Sequence, residues 1–370
     1  MSRVERSERL HDRVQRFASG DSADSFADLA LQIAEFQREF SPGFARLVRA
    51  KGEPKSVEQI PGVPCDAFRL TRVALHPESE DAARFATSGT TGASTGIHAL
   101  RTLATYRALA LSFGRAALLE GTRPRRVVAL APRLSEPPSS SLGYMMALFM
   151  TDFEPQSSLE TRAPERWLID ERGVNIAGLE RAAEAAGEAG AALVILATSF
   201  ALVALLDALG GRTLRVPEHT VIMQTGGFKG KTREIAPEVL RRSVAGAFGI
   251  AEDRLVSEYG MTELTSQLYE ATLPGSALQA AHRGARGVYF EPPWLRVVPV
   301  DPVSLEPVAA GEIGIARIVD LGNVDSAVAV QTQDRVRRSR GGIELLGRAP
   351  GATLRGCSLA VEEFLRARSS

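Results

Sequence analysis

Between Ser25 and Ala50 the apolar residues Phe26, Leu29, Ile33, Phe36 and Phe40 recur at steps of three and four, the spacing of a helix that buries one face. The pattern predicts packing there and no chemistry. Residues 51–80 carry Pro54, Pro61, Pro64 and Pro77 among mixed polarity, which predicts a connection and ends a helical N-terminal region near Ala82. Helical spacing returns from Leu103 to Gly121 through Leu109, Phe113, Ala116 and Leu119, with Gly121 as the stop. Three fully apolar runs follow, Val127 to Ala131, Leu193 to Ala197 and Thr220 to Gln224, with helical patterns between them. Apolar strands alternating with helices predict a parallel sheet covered on both faces. Ser135 to Ser141 reads as a loop, and Met145 to Met150 as core or as the wall of a pocket. From 284 to 319, the runs Val288 to Phe290, Leu295 to Val300 and Ile313 to Val319, separated by proline and glycine turns, predict a smaller sheet or barrel.

Composition narrows the class. A chain of 370 residues with 44% apolar content can bury a large core without staples. Its 44 basic and 44 acidic residues cancel, which argues against a nucleic-acid footprint or attraction to an anionic membrane. The N-terminus, MSRVERSERLHDRVQRF, is charged throughout, and no run approaches the ~20 apolar residues of a membrane helix. With only Cys65 and Cys357 present there is no disulfide framework, so the expectation is a soluble, cytoplasmic protein acting on small molecules or proteins, without membrane insertion. Cys65, after Pro64, reads as a small apolar residue in a loop. Lysine occurs only at 51, 55, 229 and 231, which singles out Lys229 and Lys231.

The chemistry concentrates in a few stretches. Ser88, Gly89, Thr90, Thr91 and Gly92 combine glycines that allow amides to turn inward with three hydroxyl donors, a composition suited to phosphate. No Gly-Lys-Ser/Thr closes the loop, so it is not the common P-loop, and a plain solvated turn has the same composition. The third apolar run ends in Thr225, Gly226 and Gly227, at the carboxyl end of a strand where open α/β sheets bind ligands. Lys229, Lys231 or Arg233 could face anions there, or be solvated charges in a strand-to-helix turn. In Tyr259, Gly260, Met261, Thr262 and Glu263, an aromatic beside a glycine can lie on a base, and a hydroxyl with a carboxylate offers oxygen ligands for Mg²⁺ near phosphates. That set suits ATP, though a tyrosine-glycine turn before a helix start has the same letters. Asp334 can accept from both ribose hydroxyls, and Arg348, after Gly347, can reach ribose or phosphate oxygens. Cys357 lies two residues from Arg355, a neighbour that favours a nucleophilic thiolate; a structural role is the alternative.

In order and spacing, SGTTG at 88–92, TGG at 225–227, YGMTE at 259–263, Asp334 and Gly347-Arg348 resemble the adenylate-forming superfamily. TGGFKGKTRE and RGCSLAVEE, with the early ending, are most similar to its acyl-protein synthetase branch, known from bacterial bioluminescence. The resemblance implies the α/β class, with a large adenylate-forming N-terminal domain, a smaller β-rich part and a truncated C-terminal subdomain. It divides the chain into a helical region at 1–82, a nucleotide- and acid-binding core at 83–330 and a short segment at 331–370 bearing Cys357. It implies ATP and Mg²⁺, a carboxylic acid substrate, a fatty acid by the resemblance with an aromatic or amino acid as the alternatives, and an acyl-accepting reductase or transferase. By that mapping Ser88 to Gly92 hold phosphates, Thr225, Gly226 and Gly227 border the adenine, and Tyr259 with Gly260 forms the stacking surface. Thr262 and Glu263 act on the transition state and Mg²⁺, Asp334 and Arg348 hold the ribose, and Cys357 takes the acyl group. An acyl-CoA ligase, or a non-catalytic nucleotide- or partner-binding subunit, are the alternatives. The sequence departs from the superfamily in three places: Ala93 to Gly96 lack the usual Pro-Lys, no lysine follows Arg348, and Gly351 stands where a hinge Asp is common.

Overall fold

The computed structural model describes residues 1–87, 95–226, 235–282, 284, 286–349 and 355–365, with 355–359 described by backbone alone. The chain forms two compact units, each assembled from separate stretches: Met1–Ser112, Met261–Gln267 and Phe290–Ser370 in the first, Phe113–Gly260 and Leu268–Tyr289 in the second.

In the first unit the helical N-terminal region consists of Arg3–Ser19, Phe26–Phe40 and Pro42–Lys51. The single amphipathic stretch expected from Ser25 to Ala50 is therefore two helices. Ser41 ends one and caps the next, its Oγ accepting from the Phe44 amide at 3.3 Å, and Pro42 takes the first position, where its missing N–H costs nothing. Leu29, Ile33 and Phe36 are buried as the spacing predicts. The helix Arg3–Ser19 opens with a reciprocal cap between Ser2 and Glu5 and buries Ser7, Leu10, His11 and Val14. Four antiparallel strands, Leu295–Val300, Ile313–Asp320, Ala329–Ser339 and Gly342–Arg348, lie side by side in that order, and Val63–Pro64 adds in parallel to Ala329–Ser339. The strands Ala83–Ala86 and Ile97–Leu100 form a separate antiparallel pair flanking the glycine-rich loop. The helix Arg355–Leu365 packs on Pro42–Lys51, where the Phe364 ring lies so close to Gly43 that an added Cβ would meet it at 2.8 Å.

The second unit holds the expected parallel sheet. Leu255–Tyr259, Val221–Thr225, Ala192–Thr198, Arg125–Pro132 and Trp167–Asp170 run parallel, and antiparallel Leu268–Glu270 and Gly173–Val174 flank them. Every second strand residue, from Val128 and Leu130 through Leu193, Ile195 and Ala197 to Ile222 and Leu255, shares a core with the helices Ile176–Glu188, Ser199–Leu209 and Pro237–Phe248. The intervening residues, among them Val127, Ala129, Val194, Leu196 and Met223, are also buried. Both faces are thus covered, which is why the strands read as unbroken apolar runs. The helix Ser141–Phe153 buries Met145, Met146, Phe149 and Met150 and packs on Arg125–Pro132, so these residues are core. The helix predicted from Leu103 to Gly121 is Ala104–Leu118; Gly121 instead sits in the turn beyond it, at a φ of +57°. Among the described residues no helix is long and apolar enough to cross a membrane.

Candidate functional site

In the second unit the parallel strands Ala192–Thr198, Val221–Thr225 and Leu255–Tyr259 present their carboxyl ends along one edge, the place where open α/β sheets collect ligands. Register puts Thr198 beside Thr225, Thr225 beside Glu258, and Tyr269 of the antiparallel strand opposite Glu258. The Thr225 hydroxyl donates to a Glu258 carboxylate oxygen. Glu258 is 4% exposed. Burial pushes its pKa up to about 7 against the opposing Thr225 hydrogen bond, and among the described residues no cation pairs with it. Gly226 leaves the strand at a φ of +77°, a turn glycine makes without strain, and its carbonyl accepts from Ser199 Oγ. Tyr259 ends its strand with its ring edge-on to Tyr289, centroids 6.5 Å apart, and Gly260 follows it. No helix follows YGMTE, which removes the helix-start reading of those letters.

The rest of that motif belongs to the first unit, where its backbone is held at several atoms. The Thr262 carbonyl accepts from His98 Nδ1 at 2.8 Å and the Glu263 carbonyl from Asn323 Nδ2 at 2.9 Å. Beyond them, the amides of Thr265 and Ser266 both donate to Asp320 Oδ2 at 2.9 Å, and Ser266 Oγ donates to Asp320 Oδ1 at 2.7 Å. Glu263 itself is 8% exposed. A carbonyl can only accept, so Nδ1 of His98 carries the proton, and Nε2 accepts from Ser326 Oγ at 2.9 Å. Burial holds the His98 pKa down to about 4, keeping the ring neutral.

Asp334 and Arg348 are brought together. They stand opposite each other on adjacent antiparallel strands, with Arg348 Nε 3.6 Å from Asp334 Oδ1. Gly347 at a φ of +79° lies beside a register shift between Asp334 and Val336, a bulge that re-aims the strand end. Arg348 remains largely exposed, so this pair contributes little to stability. Cys357 falls in the first turn of the helix Arg355–Leu365. Ser88, Gly89, Thr90, Thr91, Gly92 and Gly227 lie outside the described residues, as do Lys229, Lys231, Arg233 and Gly351. The neck of the glycine loop is described: the Thr87 amide donates to the Gly96 carbonyl and the Gly96 amide to Thr87 Oγ1, both at 2.9 Å. Among the described residues no group of three His, Cys, Asp or Glu side chains could hold a metal.

Motif reading did not single out Glu258, His98, Asp320 or Asn323. Glu258 stands directly before the YGMTE motif but carried no signal until register set it against Thr225. The other three look like a lone histidine in an apolar strand and a polar turn. Glu258 has a consequence for stability. Its folded pKa is raised above the unfolded value, so its contribution is present at low pH and lost as pH rises from about 4.5 through about 7, on the order of 3 kcal/mol. His98 has the opposite sign, its contribution being lost as pH falls from about 6.5 toward about 4. Urea unfolding of wild type and Glu258→Gln between pH 5 and 8 should show the variant gaining on wild type as pH rises; a constant gap would refute a protonated buried Glu258.

No protein-family model matches the sequence, and no curated protein matches it. Solved structures do. A 2-hydroxyisobutyryl-CoA ligase in an open conformation, in complex with 2-HIB-AMP and CoA, superposes with a TM-score of 0.56 at 14% identity, over 86% of this chain and 73% of the ligase. The same ligase in its thioesterification state gives 0.55 at 15% identity, over 94% of this chain and 69% of the ligase. The chain shares the fold of this coenzyme A ligase. The α/β expectation therefore stands. The neighbours are coenzyme A ligases, and they lend no support to the acyl-protein synthetase branch that TGGFKGKTRE and RGCSLAVEE resemble.

Proposed function

We propose that this chain uses ATP and Mg²⁺ to activate a carboxylic acid as its acyl-adenylate and then passes the acyl group to a thiol, coenzyme A being the acceptor the fold likeness favours. One observation carries the reading: YGMTE begins at the carboxyl end of a parallel strand in a fold shared with a ligase crystallised with an acyl-AMP and CoA. A carboxylate oxygen attacks the α-phosphorus, the bond to the bridging oxygen breaks, and pyrophosphate leaves. The thiol then attacks the acyl carbon and AMP departs. Positioning and charge compensation do most of the work in such steps. Ser88 to Gly92 hold the phosphates, Thr225, Gly226 and Gly227 border the adenine, Tyr259 and Gly260 form its stacking surface, and Asp334 takes the ribose hydroxyls with Arg348 assisting. Thr262 donates to the reacting phosphate. Glu263 would hold Mg²⁺, a cation that takes one or two carboxylates together with phosphate oxygens and would supply charge neutralisation at the phosphates.

The test is pyrophosphate release from Mg·ATP across fatty, aromatic and amino acids, with and without coenzyme A. Acid-dependent release and a coenzyme A thioester are expected. ATP binding without release for any acid would replace the ligase by a non-catalytic nucleotide-binding or partner-binding subunit.

A second reading has Cys357 accepting the acyl group for delivery to a reductase or transferase. It draws on the RGCSLAVEE resemblance and on the first-turn position of Cys357, since the start of a helix favours an anionic nucleophile. Under this reading Cys357→Ser keeps adenylation but abolishes a hydroxylamine-labile acyl-protein. Labelling that persists in the variant would exclude Cys357.

A further inference from the structure

We propose that His98 is a positioning residue that ties the neck of the glycine loop to the Thr262–Glu263 peptide. The inference rests on the adenylation reading for its functional meaning, and on hydrogen bonds alone for its structural content. The other groups that hold the segment after Tyr259 and Gly260 are Asp320, the last residue of Ile313–Asp320, and Asn323 in the turn beyond it. His98 comes from a different place. It lies on Ile97–Leu100, immediately after Gly96, whose two hydrogen bonds with Thr87 close the neck of the loop. That strand is fixed by its pairing with Ala83–Ala86, in which buried Phe85 stands opposite His98.

The imidazole has little freedom to do anything else. It is 1% exposed, meets the Phe68 ring edge-on at 5.5 Å between centroids, and uses both nitrogens, one on Thr262 and one on Ser326. Its tautomer is set by the carbonyl, and its neutrality by burial. A displacement of the loop neck therefore passes through two residues of paired strand and one hydrogen bond to the carbonyl just ahead of Glu263. Sites of this kind work when the groups behind the reacting residues are themselves locked. His98 does not touch substrate in this account. It sets where the Thr262–Glu263 peptide stands with respect to the loop neck at Thr87 and Gly96.

The conservative variants separate this role from simple packing. In His98→Asn the amide nitrogen lies near the position of Nδ1 and can still donate to Thr262; in His98→Gln it lies near Nε2 and addresses Ser326 instead. Two readouts are needed, amide exchange at Thr265 and Ser266, and kcat with KM for ATP from pyrophosphate release. The expected pattern is near-wild-type exchange for His98→Asn and a loss of protection of about tenfold for His98→Gln, the value of one hydrogen bond. The same variant should lose kcat on the order of 100-fold, with KM for ATP changed much less. Equal exchange and equal kcat in the Asn and Gln variants would overturn the proposal. Should wild type release no pyrophosphate with any acid, the adenylation reading fails, while the exchange comparison still decides whether His98 holds this peptide.

Discussion

Glu263→Gln is expected to lower acid-dependent pyrophosphate release by about 10²- to 10³-fold, the usual cost of removing one preorganised charge partner from a transition state. The substitution keeps the volume and one acceptor oxygen but removes the negative charge that, under the proposed reading, would hold Mg²⁺ against the phosphates. The backbone around it is held from elsewhere, through His98 on Thr262 and Asn323 on the Glu263 carbonyl, and neither bond involves the Glu263 side chain. Thermal unfolding of the variant, measured beside pyrophosphate release, separates loss of a catalytic charge from loss of the fold. Activity loss with unchanged stability is the signature. Undiminished release would remove Glu263 from the chemistry, and parallel loss of folding would make it a structural residue.

Asp320→Ala should produce the largest stability effect. Asp320 is fully buried and accepts from the amides of Thr265, Ser266 and Gly322 at 2.9 Å and from Ser266 Oγ at 2.7 Å. Alanine leaves three backbone amides and a hydroxyl without an acceptor. Each such group costs about 1–3 kcal/mol when buried, and water entering the space recovers part, so a net loss of about 4 kcal/mol is expected. That is a large share of the roughly 5–15 kcal/mol that holds a folded domain. Asp320→Asn, which keeps one acceptor oxygen, should lose about half as much. Denaturant midpoints for the two variants measure it, and an unchanged midpoint for Asp320→Ala would mean that other groups satisfy these amides. Under conditions where Asp320→Asn remains folded, its kcat should still fall, because the amides it holds lie two and three residues beyond Glu263.

Much of the scaffold was legible in the chain. The apolar runs at 127–131, 193–197 and 220–224 are strands because residues buried on both faces leave no polar alternation, and that signature is local. Breaks were less legible: Ser41-Pro42 divides a periodic stretch because capping geometry outweighed a pattern that continued across it. Among candidate site residues, Asp334 and Arg348 could be named separately, but nothing in their spacing set them opposite each other on neighbouring strands. His98 and Asp320 had no motif at all. Their partners lie far along the chain, and only folding makes them neighbours.

By itself the sequence determined the α/β class, the succession of helices and strands, and the kind of chemistry that the glycine-threonine loop and the YGMTE stretch can support. These follow from periodicity and from what glycine, hydroxyl and carboxylate groups can do at short range. Tertiary structure alone decided that Thr225 meets Glu258, that His98 and Asn323 hold consecutive carbonyls, and that Glu258 and His98 are shifted toward neutrality at ordinary pH. Desolvation and hydrogen-bond pairing depend on which distant residues surround a group, and the linear order of a chain does not contain that information until the strands have found their register.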